Sequence, residues 1–319
     1  MERAIPHFLR IGRHASLFFC GLIKEDEKMM NKQLNGSSGD LQGKESSFTS
    51  SDGLRIFYRE FISENERARL VIVHGIGEHS GRYGNVVEKL VHGNTSIWAM
   101  DLRGHGKSEG KRGHILAFDD YLNDVSAMVD MAKQGIGAKR KCFLLGHSMG
   151  GLIALDFALR YPARIDGVII SSPSLGIAVK VPAFKKAMGK LMSSVLPGLT
   201  LSNGIDITKL SHDKEVVRAY GEDPLVHDRV SARWFTEILE GMERVRNSAP
   251  LFKVPLLMQL AGDDRLTDVN ASKDFFDKLT VDDKTVRIYK TLYHEIYNES
   301  EESRQEPLGH LDEWIQAHL

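Results

Sequence analysis

Cys142-Phe143-Leu144-Leu145-Gly146-His147-Ser148-Met149-Gly150-Gly151 decides how this chain is read. The apolar run CFLL predicts a buried strand, and Met149 to Tyr161 continues with the spacing of a helix. Between them lies G-x-S-x-G, with no residue left for an ordinary loop. Such a sharp strand-to-helix turn holds its serine in a strained backbone conformation with the hydroxyl exposed. Glycines flank it because strand and helix approach too closely for side chains. The helix N-terminus then aims backbone N–H groups at the reacting centre. Ser148 is therefore the candidate nucleophile. The competing reading, a glycine-rich turn, does not account for the framing by strand and helix.

A serine hydroxyl becomes nucleophilic only when a base takes its proton, and the base needs an acid to orient it. With this turn, the acid is expected after a late strand and the histidine after the last one. The run Leu256 to Ala261 (LLMQLA) leads into Gly262-Asp263-Asp264-Arg265-Leu266-Thr267-Asp268. The run Val286 to Tyr293 (VRIYKTLY) leads into His294, the only histidine between His227 and His310. His294 is the expected base and Asp264 the expected acid. Asp263 lies nearer the strand end, and Asp268 suits a cap on the next helix. A tetrahedral intermediate also needs donors for its oxyanion. Leu70 to His74 (LVIVH) ends in His74-Gly75-Ile76-Gly77, so the N–H groups of Ile76 and Met149 are the expected pair, and His74 is expected to bond loop backbone.

Outward from this centre, short β-rich runs alternate with helical stretches. Ser47 to Thr49 and Arg55 to Phe61 flank Asp52-Gly53, a hairpin signal. Further runs fall at 70–74, 96–102, 142–145, 168–171, 256–261 and 286–293, and helical patterns at 84–91, 118–133, 149–161, 271–279 and 307–318. A hairpin followed by β-α-β alternation implies a mostly parallel eight-stranded sheet with helices on both faces, the α/β-hydrolase arrangement. Between Ser172 and Lys253 only helical patterns occur, at 182–196 and 230–243. That is too long for a connection, so a helical cap is expected as an insertion at about 173–252. Residues 31–44 are polar and rich in glycine and serine. The expected division is a flexible N-terminal extension over 1–44 and a hydrolase domain over 45–319.

The net charge of −1 supplies no field that would recruit nucleic acid. The two cysteines, Cys20 and Cys142, need no disulfide framework, which favours a reducing, cytoplasmic setting. Arg3, Arg10 and Arg13 precede a short apolar run, Ala15 to Ile23, in the order of a targeting signal. That run is followed by Lys24-Glu25-Asp26-Glu27-Lys28 without an A-x-A cleavage site, which favours an extension over a signal.

His74-Gly75-Ile76-Gly77-Glu78-His79-Ser80-Gly81-Arg82-Tyr83 resembles the HGxGEHxGRY signature of monoacylglycerol lipases and related lysophospholipases. Asp101 to Gly110 (DLRGHGKSEG) resembles that family's next loop. Further likeness lies in Asp264-Arg265-Leu266, Tyr293-His294-Glu295, Ser202-Asn203-Gly204 and Asp223 to His227 (DPLVH). The resemblance covers nearly everything from Glu45 to Leu319. It implies hydrolysis of a single-chain lipid ester with no metal or organic cofactor, and it puts glycerol-end contacts on Glu78 and Arg82. A salt bridge that only shapes the loop is the alternative for that pair. One departure is Tyr297, where animal monoacylglycerol lipases carry a second histidine.

In the cap, Phe184, Met188, Leu191 and Val195 follow helical apolar spacing with Lys185, Lys186 and Lys190 off the stripe. That face is expected to bind the acyl chain, to touch a membrane peripherally, or simply to pack on the domain beneath. The leading expectation is an acylglycerol lipase or lysophospholipase working through an acyl-serine. The alternatives are a broad short-chain carboxylesterase or an amide hydrolase and, more remotely, a non-catalytic binding protein on the same fold. A peptidase would need an acidic anchor for the peptide amine, and the sequence shows no such cluster.

Overall fold

The middle apolar runs pair at the centre of one sheet, because each is apolar on both of its faces and must be covered twice. The computed structural model describes residues 43–135, 137, 140–177 and 183–319, the side chains of 183–188 excepted. Residues 1–42, most of the expected extension, lie outside that description, and Lys44 already begins the first strand. In chain order the strands are β1 (Lys44–Thr49), β2 (Arg55–Phe61), β3 (Ala68–Val73), β4 (Thr95–Met100), β5 (Lys141–His147), β6 (Gly167–Ser171), β7 (Thr200–Ser202), β8 (Arg229–Ser231), β9 (Leu256–Ala261) and β10 (Lys284–Tyr289). Eight form the main sheet in the order β1-β2-β4-β3-β5-β6-β9-β10. β1 and β2 are antiparallel to their neighbours, and the other six run parallel. This is the α/β-hydrolase fold.

The helices are α1 (Gly84–His92), α2 (Asp119–Lys133), α3 (Met149–Arg160), α4 (Ala183–Val195), α5 (Lys214–Glu222), α6 (Ala232–Asn247), α7 (Val269–Asp277) and α8 (Glu301–Ala317). Alternation along the strands divides the core. Val71, Val73, Leu144, Val168, Ile170 and Met258 join one cluster with Met128 of α2, Leu152 of α3 and Met242 of α6. Their neighbours Leu70, Ile72, Phe143, Leu145, Ile169 and Leu257 point the other way and are equally buried. On that face Trp314 of α8 packs edge-on to Phe143, with ring centroids 5.7 Å apart. No helix among the described residues is long and apolar enough to cross a membrane.

Between β6 and β9 the chain forms α4, α5, α6 and a small antiparallel pair, β7 with β8. The expectation of no strand in this region is thus corrected. Each strand of the pair has three residues, too few for a period to show in sequence. α6 does not stand apart from the core, since Trp234, Ile238, Met242 and Val245 enter it. The last strand stops at Tyr289 rather than Tyr293, and α8 starts at Glu301, six residues before the helix expected from Pro307.

The carboxyl ends of the parallel strands share one edge of the sheet, where the loops carrying His74, Ser148, Asp264 and His294 emerge. What fixes that edge is crowding at the β5–α3 turn. A Cβ on Gly146 would stand 2.2 Å from the Gly150 carbonyl oxygen. One on Gly150 would stand 2.1 Å from the carbonyl oxygen of Val73 and 2.5 Å from that of His74. These contacts are backbone on backbone, so no side chain can give way. Gly150→Ala is expected to lower unfolding free energy by about 1–3 kcal/mol, the range for overpacking, read from the urea midpoint. An unchanged midpoint would mean that β3 and α3 can separate freely.

Candidate active site

Ser148 occupies the turn with φ +54° and ψ −118°, a conformation that side chains avoid. Such strain costs on the order of 1–3 kcal/mol and persists only where neighbours over-determine it. Here the Ser148 N–H donates to the Ser171 carbonyl at 3.0 Å, and its own carbonyl accepts from Leu152 at 3.2 Å and Ser174 at 2.9 Å. The hydroxyl lies 3.3 Å from Ser174 Oγ, and the residue is 6% exposed.

Asp264 follows β9 with every carboxylate position occupied. Oδ1 accepts the N–H groups of Leu266 at 2.9 Å and Thr267 at 3.0 Å, and Oδ2 accepts the Thr267 hydroxyl at 2.8 Å. The remaining partner of Oδ2 is His294 Nδ1 at 2.7 Å. That bond puts the Nδ1 proton between the two side chains and leaves Nε2 as the free base nitrogen. Burial pushes the Asp264 carboxyl up, but the imidazole and the backbone N–H groups outweigh it and hold the pKa at about 2. Burial pulls His294 down, whereas Asp264 first and then Glu295 and Glu78 raise it, and the net shift is upward. Asp263 instead pairs with Arg265 at the surface, and Asp268 caps α7 through the N–H groups of Asn270 and Ala271.

The elbow reaches the histidine through His147, whose ring centroid is 4.8 Å from that of His294. Burial, then the charge of His294, pulls His147 down to about 4, so it stays neutral. The loop after β3, expected to hold the oxyanion donor Ile76, touches the elbow too, since a Cβ on Gly75 would lie 3.1 Å from Ser148 Cβ. His74 Nε2 accepts the Leu102 N–H at 2.9 Å, so Nδ1 carries the proton and donates to the Gly75 carbonyl at 2.7 Å. Gly77, at φ +77°, lies against cap backbone, where a Cβ would stand 2.4 Å from the His227 carbonyl oxygen. Ile76 lies between these two glycines. Among the described residues, no backbone carbonyl engages the N–H of Ile76 or of Met149.

Glu78 is buried and Arg82 partly so, and they are bonded to each other, Nη1 to Oε2 at 2.9 Å. Arg82 also makes a two-point pair with Glu295, at 2.6 and 2.7 Å. Its guanidinium lies over the Tyr220 ring of the cap, 4.5 Å from the centroid. Glu78 Oε1 accepts from the Gly75 N–H at 2.6 Å and the Tyr83 hydroxyl at 3.0 Å. The pair is therefore woven into the protein. Tyr297, at the departure from the animal enzymes, is buried and donates its hydroxyl to Gln259 of β9.

The cap residues fare differently. The side chains of Phe184 and Met188 lie outside the described residues. Leu191 and Val195 face solvent, 60% and 64% exposed. Three polar residues of the site were not anticipated from sequence. Ser174 meets Ser148, Glu295 meets Arg82, and buried Glu299 accepts from the Tyr293 N–H at 2.7 Å and the His212 N–H at 2.9 Å. The sole signal for Glu295 is its place directly after His294. Ser174 and Glu299 carry none.

The geometry agrees with comparisons to known proteins. A family model described as serine aminopeptidase, S33 matches residues 64–301. The chain is 32% identical over 277 residues to a monoacylglycerol lipase of Mycolicibacterium smegmatis, covering 86% of this chain and 98% of that one. It is 37% identical over 237 residues to phospholipase YtpA of Bacillus subtilis, covering 73% and 90%. A crystal structure of Paleococcus ferrophilus monoacylglycerol lipase matches with TM-score 0.76 and 38% identity, covering 83% of this chain and 99% of that one. With its strained serine, its carboxylate–imidazole pair and these relatives, the chain belongs to the serine aminopeptidase S33 family, on the side of the monoacylglycerol lipases, and is a serine hydrolase of the α/β-hydrolase fold.

Proposed function

We propose that this enzyme hydrolyses carboxylic esters of single-chain lipids, monoacylglycerols or lysophospholipids, through an acyl-serine intermediate. The observation that carries the reading is the His294–Asp264 bond beside a serine held at positive φ. Ser148 Oγ turns from Ser174 to the ester carbonyl carbon while His294 Nε2 takes its proton. Asp264 keeps the Nδ1 proton in place and stabilises the imidazolium. The N–H groups of Ile76 and Met149 donate hydrogen bonds to the carbonyl oxygen as negative charge builds on it. Collapse breaks the ester bond, and the alcohol leaves with the proton from His294. Water then attacks the acyl-serine by the same route, releasing the fatty acid and restoring Ser148.

The lipid substrate is supported by the monoacylglycerol lipase and phospholipase relatives. An aminopeptidase reading, which the family description invites, requires a free carboxylate for the peptide amine. Glu78 and Glu295, the carboxylates beside the site, are both occupied by Arg82.

The cap supplies a surface for lipid. Leu191, Val195, Leu196, Leu199 and Leu201 are all between 44% and 66% exposed within one short stretch. Exposed apolar groups clustered in this way mark contact surfaces. Lys190 stands exposed beside them, as suits an anionic bilayer face. This patch meets the membrane or micelle from which the substrate is drawn.

Three outcomes test the reading. A fluorophosphonate probe should label Ser148 alone, and Asp264→Asn should lower kcat on the order of 10⁴-fold. Labelling elsewhere, or near-native activity in Ser148→Ala, would sink it. The base must be neutral to act, so kcat/KM should fall as pH drops through the His294 pKa, which lies above the ordinary 6.5. A profile that is flat there would remove His294 as the base. For the patch, Leu191→Asp with Val195→Asp should depress turnover of long-chain monoacylglycerol in vesicles by tenfold or more, since burying each carboxylate is costly (roughly 1–3 kcal/mol or more). Turnover of dissolved p-nitrophenyl butyrate should stay within about twofold, the surface range of ±0.5 kcal/mol. Equal losses would place these residues elsewhere in the mechanism.

A further inference from the structure

Arg82 stands where three parts of the site meet. Toward the oxyanion loop it holds Glu78, whose other oxygen accepts the N–H of Gly75, the residue before Ile76. Toward the base it grips Glu295, the residue after His294, with two parallel bonds of 2.6 and 2.7 Å. Its outer face lies on Tyr220 of the cap. All three charged side chains are at most 10% exposed. Both Nη1 protons and one Nη2 proton of Arg82 are thus engaged with carboxylates, and the two-point pair specifies orientation as well as distance.

We infer that Arg82, acting through Glu78 and Glu295, is a positioning residue that sets the oxyanion loop and the His294 loop in register. The inference rests on the reading of Ser148, His294 and Ile76 given above. Its physical content is geometric. Gly75 and His294 belong to segments more than two hundred residues apart, and the donors and base must both lie within a fraction of an ångström of the reacting atoms. One guanidinium spans the gap through a carboxylate on each side.

Glu295→Gln is the informative variant, because it strands no buried charge. The network changes from two carboxylates and one guanidinium to one of each. Arg82→Lys keeps the charge but replaces the fork by one ammonium, which cannot match Glu295 at two points. Both are compared with the native enzyme and Ser148→Ala on p-nitrophenyl butyrate, whose leaving group has no glycerol to lose. Both variants should lower kcat on the order of 10–100-fold, as sub-ångström misplacement does, with KM near native and little change in melting temperature.

The pH profile separates positioning from mere support. The groups facing His294 are Asp264 from the β9 loop, Glu295 from its own loop, Glu78 from the oxyanion loop and His147 from the elbow. The Glu295 carboxylate favours the imidazolium, so its removal should move the acidic limb of kcat/KM to lower pH. Arg82→Lys keeps both carboxylates and should leave the limb where it is. Native-like kcat in both variants on this ester, or an unmoved limb in Glu295→Gln, overturns the inference. Losses confined to monoacylglycerol would instead restore a glycerol contact. Activity retained in Ser148→Ala would overturn the underlying reading, a result distinguishable from either.

Discussion

The structure turns on the crowding of three backbones at one point, where the β5–α3 turn presses against the end of β3. Because Gly150 leaves no space for a Cβ beside the Val73 and His74 carbonyls, the start of α3 and the oxyanion loop share a single geometry. Ser148 is strained as a result, and its three backbone hydrogen bonds hold the strain in place. Met149 and Ile76 belong to the two elements so clamped together. The same contact that limits the sequence to glycine thus sets the distance between the expected nucleophile and both expected oxyanion donors. A looser turn would relieve Ser148 and lose that relation.

Around this point charge is handled by pairing, and histidine by neutrality. Burying an unpaired ion costs several kcal/mol, and Glu78, Arg82, Glu295 and Asp264 are each bonded to an opposite or donating partner. His105 donates from Nδ1 to the Arg103 carbonyl, and His227 from Nε2 to the Gly104 carbonyl. With His74 they form a row, edge-on and then tilted, with centroid distances of 5.3 and 4.7 Å. Burial first, then neighbouring positive groups, pulls His227 down to about 4. The row joins the oxyanion loop, the 101–110 loop and the cap without carrying charge. His294 is the contrast, a buried histidine raised because Asp264 faces it. The environment, not the residue type, separates the one imidazole suited to take a proton from those that only pack.

Much of this was legible in the sequence where local pattern and chemistry coincide. The buried strands β4, β5, β6 and β9 read as apolar runs, and G-x-S-x-G announced the turn. Asp264 was legible because it follows β9 and His294 because it follows the last strand, and the structure sets them 2.7 Å apart. Asp268 as a helix cap was legible from its position alone. The β7–β8 pair was not, since three residues define no period. Neither were the partners made by long-range folding. Glu295 and Arg82 lie 213 positions apart, and no local rule links them. Tyr297 looked like a lost polar contact, yet its hydroxyl is taken up by Gln259 inside the sheet. The apolar stripe of α4 was legible as amphipathic, but its direction was not, because helical spacing defines a face without saying what covers it.

That direction also separates the parts of the cap that are tied to the His294 loop from those that are not. Glu299, almost fully buried, bonds the Tyr293 N–H, the Ser211 hydroxyl and both N–H groups of His212, whose ring stacks 3.6 Å from that of Tyr293. Displacing the cap near 211–212 would therefore pull on the residue next to His294. Tyr220 over Arg82 ties α5 to the same network. At the far end α4 packs on α6, where Ser193 Oγ lies 2.8 Å from Thr236 Oγ1, the Ser193 carbonyl accepts from Arg233 at 3.0 Å and Gly189 lies against Phe235. Movement on the side of the cap tied to Glu299 and Arg82 would therefore disturb the residues flanking His294. Leu191, Val195, Leu196, Leu199 and Leu201 belong to other segments, α4 and the stretch through β7. The exposed apolar residues and the ties to the His294 loop thus fall on different segments between β6 and β9, so substituting the first set leaves the hydrogen bonds of the second in place.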